Sequence, residues 1–453
     1  MGEACSFCVF SWRYGSDEMR RIFSRENIVE AYKRVELALL EALVDLGVAP
    51  REALEEARAA APRVSAEEVY RLEKETGHDI AAMVFLWGRL AGGEAARWLH
   101  YGATSNDIID TAWALLLREA LGLLKKRLRQ VIARLSSMAV EHRYTVMPGR
   151  THGQHATPVT LGFKLANYVY ELARSYERIC CAGERLLRAK IGGATGTMAA
   201  WRGQGLRLRR LVAEKLGLEP HPIATQVAPR DGFAEMAAAL AILAGVLERL
   251  ALEVRELSRP EIMEAWEDRG STVGSSAMPQ KANPVTAERI CGLARIARGL
   301  AVSFLENIAL WHERDLSNSS AERIAVPHLL LTLDQMLLDT QRLLERLRFS
   351  PERMRRNLLQ VSLATSTAEA LLNLLISRGL GREEAYAIAK KAARTAMEEG
   401  IPLWEAAARI PEAARLLSGI DLREALRPEN YIGDAPLLVD EALRYAEEAV
   451  KRC

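Results

Sequence analysis

No stretch of this 453-residue sequence is apolar for long enough to cross a membrane. The longest such run, Met236 to Leu247, is closed by Glu248, well short of the ~18 residues a span needs. Strong charge of either sign is also missing. The net charge of +2, from 61 basic and 59 acidic residues, gives no general pull toward nucleic acid or anionic lipid, and no basic stripe or recognition motif is seen. Strand patterning is weak, and neither a βαβ alternation nor a repeat of solenoid period occurs. The N-terminus lacks the basic region and apolar stretch of a signal peptide, so the expected location is the cytoplasm. A loose myristoylation pattern, Met1-Gly2-Glu3-Ala4-Cys5-Ser6, has nothing basic close behind it. Cysteine is sparse, with six in all: Cys5, Cys8, Cys180, Cys181, Cys291 and Cys453. The single C-x-x-C at Cys5 and Cys8 has no second pair or histidines at finger spacing, so a zinc site is not expected. Arginine outnumbers lysine, as in some thermophile proteins, whose intracellular members can carry disulfides. Disulfides that pin the chain ends are the sharper reading, and buried or free thiols the bland one.

What the sequence does have is helix. Hydrophobic residues make up 49% and charged residues 26%, a globular balance. Leu117, Leu121, Leu124, Leu128, Val131, Leu135 and Met138 alternate steps of four and three. So do Phe233, Met236, Leu240, Leu243, Leu247, Leu250, Val254 and Leu257. Leu165 to Leu186, Ile290 to Trp311 and Leu330 to Leu347 repeat the pattern. A 3.5-residue period puts each set on one helix face. Five long helices between about 112 and 347 imply a bundle. Ala237, Ala241, Ala244 and Ala251 allow close helix approach, and apolar positions on more than one face predict a homo-oligomer. Shorter helices are expected at Ser24–Leu46, Arg51–Ala60 and Ser65–Thr76, the last with a Ser65/Glu68 capping box. Helices return at Pro351–Leu358, Ser366–Arg378, Arg382–Glu399 and Pro436–Lys451, with Gly379 and Gly381 read as C-cap breaks. The expectation is an all-α chain of three helical domains, 1–111, 112–363 and 364–453, with the long five-helix bundle at the centre.

Chemistry concentrates where helical order fails. Trp266 to Pro284 is too long for a plain connection and carries Gly274, Ser275, Ser276, Lys281 and Asn283 before Pro284 opens a helix. Backbone N–H groups, a helix start and a lysine suit an anion. A second break, Met147 to Pro158, holds His152 and His155; no carboxylate or cysteine completes a metal set, and a general acid or base is the more natural reading. Gly77-His78-Asp79 and Gly102 to Asp107 are polar clusters at helix starts, where capping is the bland explanation. Gly192-Gly-Ala-Thr-Gly-Thr197 has the glycines of a phosphate loop but no preceding strand and no G-K-[ST] ending.

These segments resemble a known family. Gly274-Ser-Ser-Ala-Met-Pro-Gln-Lys-Ala-Asn-Pro284 is similar to the signature loop of the fumarase/aspartase superfamily. Arg13-Tyr14, Gly77-His78-Asp79-Ile80, Thr104 to Thr111, Arg150 to Gln154 and His312 to Arg323 resemble its adenylosuccinate lyase branch. The resemblance implies a homotetramer with a twenty-helix core and active sites shared between subunits. It implies β-elimination of fumarate from adenylosuccinate, giving AMP, and from SAICAR, giving AICAR, with no metal or organic cofactor. It makes Ser275 the base, His152 the acid for the departing nitrogen, Glu288 the residue that orients His152, and Lys281 a catalytic cation. Lys281 and Asn283 would hold the succinyl carboxylates. Arg13, Tyr14, Arg314, Ser319 and Arg323 match nucleotide and phosphate positions. His78, Asp79, Thr104, Ser105, Thr151 and Gln226 match other substrate contacts. The pattern departs at Gln280, Ala282 and Asn318, and Met278-Pro-Gln280-Lys281 resembles argininosuccinate lyase, the nearest rival. A non-catalytic helical scaffold is the remote one.

Overall fold

The computed structural model describes residues 7–268, 270, 278 and 281–453. Nineteen α-helices and three two-stranded sheets are present among the described residues, an all-α fold. Five helices are long: Ser105–Glu141, Leu161–Leu186, Asp231–Leu257, Val285–Glu306 and Ser317–Arg346. The first begins at Ser105, before the expected boundary at 112, and runs for 37 residues, about 55 Å at 1.5 Å per residue. The first three seams are buried at every position named above, from Leu117 to Met138, Leu165 to Leu186 and Phe233 to Leu257. Each leucine so buried contributes about 1.5–3 kcal/mol. The fourth seam stops at Phe304: Trp311 lies beyond the helix end and is 78% exposed. In the fifth, Leu347 is buried but belongs to a strand, Leu347–Phe349.

The chain divides into two compact units, whose limits fall within these five helices. One comprises residues 1–127, 177–245 and 292–338. Its helix Arg25–Asp45 starts where Ser24 Oγ accepts the Asn27 N–H at 3.2 Å. Helix Ala66–Thr76 starts likewise at Ser65, whose Oγ accepts from Glu68 N at 3.3 Å and reaches Glu68 Oε2 at 3.1 Å. The glutamate of the expected capping box therefore meets the serine hydroxyl rather than a backbone N–H. A short parallel pair joins Arg188–Ala189 to Glu219–Pro220.

The other unit comprises residues 128–176, 246–291 and 339–453. Its tail packs an alanine-rich core in which Leu371, Leu375, Ala385, Ala389, Ala392, Leu403, Ala407 and Ile410 are buried together. Gly379, at φ +95°, ends one helix, but Gly381 at φ −63° is the N-cap of the next, not a C-cap. Two features here depart from the sequence reading. The break at Met147–Pro158 is a β-hairpin, Val146–Thr151 paired antiparallel with Gln154–Thr160. Strand Ala265–Glu267 pairs with Leu347–Phe349, so Trp266 belongs to a sheet rather than a loop. Proline at 148 and 158 and an irregularity between Pro148 and Arg150 hide the period-2 pattern that would have announced the hairpin.

Cys180 is disulfide-bonded, as is Cys453, whereas Cys8, Cys181 and Cys291 are free thiols. No single helix among the described residues is long and apolar enough to cross a membrane.

Candidate active site

The first unit gathers most of the expected substrate residues. His78 is the N-cap of helix Asp79–Ala91, where its Nδ1 accepts from Ala81 N at 3.4 Å. That position leaves Asp79 in the first turn, nearly buried. Asp79 Oδ1 accepts from Ile80 N at 2.8 Å, and Oδ2 accepts from Arg323 Nη2 at 2.8 Å. Arg323 comes from helix Ser317–Arg346, which also presents Asn318 and Ser319. Pro327 in the same helix has no N–H to give the Arg323 carbonyl four residues back. Asp315 orders the turn before this helix: its Oδ1 accepts from Ser317 N and its Oδ2 from Trp311 N, both at 2.7 Å.

His78, Asp79, Arg314, Ser319 and Arg323 line one cavity of about 390 Å³, with Tyr32, Asn106 and Trp113. Arg314 fixes two more expected residues. Its Nη1 donates to Gln226 Oε1 at 2.7 Å and stands 3.5 Å from Ser105 Oγ. Gln226 in turn donates to the Ala194 carbonyl at 2.5 Å. Burial lowers the Arg314 pKa; Asp110 opposes that shift and Arg230 adds to it. Arg314 has no carboxylate partner among the described residues. A half-buried cation in this state gains from an anionic ligand. A neighbouring cavity of about 470 Å³ is lined by His78, Thr195, Gln226 and His312 to Leu316. Thr104 stands beside Ser105, its N–H given to Asp107 Oδ2 at 2.9 Å. Arg13 and Tyr14 do not line either cavity. Arg13 is exposed, with its guanidinium 5.8 Å from the ring centres of Trp12 and Tyr14, and the Tyr14 carbonyl accepts from Arg20 at 2.9 Å.

Beneath the first cavity lies a network that the sequence did not announce. Arg230, 4% exposed, donates to Asp110 Oδ1 at 2.8 Å, and its Nε stands 3.0 Å from Glu322 Oε1 without hydrogen-bond alignment. Asn318, at one of the positions where the family pattern departs, donates to Glu322 Oε1 at 3.0 Å. Arg230, Asp110 and Glu322 are far apart in sequence, and no local spacing signal joins them.

The second unit carries the remaining residues. Thr151 pairs with Gln154 across the hairpin, so His152 and Gly153 form a two-residue tip. Their φ values of +53° and +73° are those a two-residue hairpin turn demands, and glycine meets that demand without a Cβ. Thr151 and His152 are exposed, and the His152 ring makes no hydrogen bond or ion pair among the described residues. The stem below is held firmly. Arg150 gives Nη1 and Nη2 to the two oxygens of Glu264 at 2.8 and 2.7 Å, and Asn357 Nδ2 donates to the same carboxylate at 2.7 Å. His155, the other histidine of the H-x-x-H, is bonded to Ser362 and lies 3.4 Å from Arg150. Burial first, and then Arg150, lowers its pKa. Lys281 is exposed, Asn283 half-buried, and Glu288 exposed in the first turn of helix Val285–Glu306. Glu288 makes no hydrogen bond to His152 in the single chain. Ser275, like most of the signature segment 266–284, lies outside the described residues. No group of three or more histidine, cysteine or acidic side chains that could hold a metal ion occurs among the described residues.

The chain as a whole is similar to known lyases. A family model described as "Lyase" matches residues 13–299, and one described as "Adenylosuccinate lyase C-terminus" matches residues 365–442. A solved structure, a fumarate lyase from Mesorhizobium sp. BNC1, superposes with a TM-score of 0.87 at 33% identity, covering 95% of this chain and 98% of that one. The class is therefore a helical lyase of the fumarase/aspartase superfamily. The chain is 42% identical to the adenylosuccinate lyase of Pyrococcus abyssi, over 97% of this chain and 98% of that protein. It is 43% identical to the adenylosuccinate lyase of Methanothermobacter thermautotrophicus, over 96% and 98%. The chain belongs to the adenylosuccinate lyase family.

Proposed function

We propose that this protein eliminates fumarate from adenylosuccinate, leaving AMP, and from SAICAR, leaving AICAR. The observation that carries the reading is Arg314: a half-buried cation without a carboxylate partner among the described residues, aligned by Gln226 and Ser105 beside a cavity that also holds Ser319 and Arg323. Arg314, Ser319 and Arg323 receive the phosphate, joined by Arg13 and Tyr14. His78, Asp79, Thr104, Ser105, Thr151 and Gln226 contact the rest of the substrate.

A hydrogen beside a carboxylate is a weak acid, and its removal builds a dianionic aci-carboxylate. Cationic and N–H groups facing that charge lower the barrier most. Ser275 removes the β-hydrogen, and Lys281 and Asn283 hold the succinyl carboxylates. The C–N bond then breaks, and His152 protonates the departing nitrogen. An exposed His152, unpaired among the described residues, suits a residue that finds its partners in an assembly. We accordingly assign a cytoplasmic homotetramer whose sites are shared between subunits, with Glu288 orienting His152. The division into parts 1–111, 112–363 and 364–453 is retained as the functional one.

The test is fumarate release from purified protein, followed by the ultraviolet absorbance change with adenylosuccinate and with SAICAR. Activity on argininosuccinate alone would overturn the assignment. Mixed Ser275→Ala and His152→Asn chains should regain activity after subunit exchange, and complete failure to do so refutes shared sites.

A further inference from the structure

The glycine loop Gly192–Thr197 is a motif the proposed chemistry leaves without a task. Its first two amides, those of Gly192 and Gly193, are already occupied from within. Asp107 is fully buried, and its Oδ1 accepts from Gly192 N at 2.7 Å. Its Oδ2 accepts from Gly193 N at 3.0 Å and from Thr104 N at 2.9 Å. Lys190, also fully buried, adds its Nζ at 2.7 Å. Thr111 fixes the Lys190 backbone on both sides, donating to its carbonyl and accepting from its N–H, each at 3.0 Å. The loop therefore wraps a carboxylate of the protein as a phosphate loop wraps a phosphate.

A buried ion pair is a weak source of stability, because its attraction barely offsets the loss of hydration. Its place here points to another task. From Asp107 the contacts run through Gly193 to the Ala194 carbonyl, then to Gln226, Arg314 and Ser105, and back through Thr104 to Asp107. We infer that the Asp107–Lys190 pair is a positioning device: it sets the two loops that hold Thr104, Ser105 and Gln226 against Arg314 in the nucleotide site. Gly193 is part of it. Its φ is +74°, and an added Cβ would sit 3.2 Å from the Gly102 carbonyl.

This inference rests on the activity proposed above, and four variants test it. Asp107→Asn and Lys190→Met each strand one buried charge and lower the melting temperature. Asp107→Asn/Lys190→Met together remove both buried charges and recover part of that loss, since the asparagine keeps one acceptor oxygen while its amide nitrogen faces N–H donors. Binding does not recover: the Kd for AMP, measured by calorimetry on the assembled enzyme, stays about 10- to 100-fold weaker, and kcat/KM falls in step. A double variant that binds AMP and turns over as the wild type does overturns the inference. Should that variant not fold, Gly193→Ala, which leaves the pair intact, is expected to weaken AMP in the same direction, and unchanged binding there overturns it too. A wild type that releases no fumarate fails the activity reading instead, so the two failures are told apart.

Discussion

The two regions that carry the expected site residues are built on opposite terms. In the first unit, Asp79, Ser105, Gln226, Arg314 and Arg323 are each tied to one another or to a buried partner. In the second, His152 stands exposed on a hairpin tip and unbonded among the described residues, while the stem beneath it is locked by Glu264. The difference separates two demands. A binding surface gains from rigidity before the ligand arrives. A proton donor must keep an unspent hydrogen-bonding group until the substrate is in place.

Substitutions that touch only one side of this contrast should break it. The largest effect is on stability in the first unit. Arg230→Met leaves Asp110 and Glu322 buried together without their cation and should cost about 3–5 kcal/mol, read from chemical denaturation. A loss under 1 kcal/mol would show that the network is not a foundation of the cavity. Next comes His152→Asn, chosen because asparagine tolerates a left-handed backbone. It should lower kcat by at least about 10²-fold, near 2.7 kcal/mol, with the melting temperature unchanged. Near-normal turnover would remove His152 from the chemistry.

Glu264→Gln is smaller and sharpens the comparison, because it loosens the stem without touching the tip. It replaces an acceptor of the Arg150 pair with a donor, at a cost of about 1.5–3 kcal/mol. kcat should fall with it, and an unchanged kcat would mean the stem does not position His152. The smallest effect concerns pH. His100, at φ +63°, shares a 2.5 Å hydrogen bond with buried Glu36. Burial alone would lower its pKa, but the Glu36 charge and hydrogen bond raise it above the ordinary 6.5. A raised histidine contributes stability that is fully present below its unfolded value and lost as pH rises through its folded value. The urea midpoint should therefore fall as pH climbs above 6.5, and Glu36→Gln should flatten that slope. Equal slopes in the two proteins would refute the assignment.

Much of the frame was legible because helices write their packing into local spacing. The Phe233–Leu257 seam could be read because every third or fourth residue is buried in one direction. The hairpin around His152 could not be read this way: prolines and an irregular register erase its alternation. Trp311 extended a seam on paper that the chain abandons after Glu306. Among site residues, short polar clusters such as Gly77-His78-Asp79 marked themselves. Arg230 and Lys190 did not, because each acts through a carboxylate contributed by a distant segment. Likeness to a family named Ser275, His152 and Lys281. Only the fold brings Asp107 to the amides of the glycine loop.

The turn at His152 and Gly153 carries one more consequence. A tip of two residues has no slack, and the strands below it alternate their side chains between faces. Inserting a single residue there would rotate the imidazole away from its present heading while leaving the helices intact. Natural variation at this corner should therefore exchange residues but keep their number. A one-residue insertion scan along the hairpin, scored for turnover in soluble protein, should show its sharpest minimum at this corner.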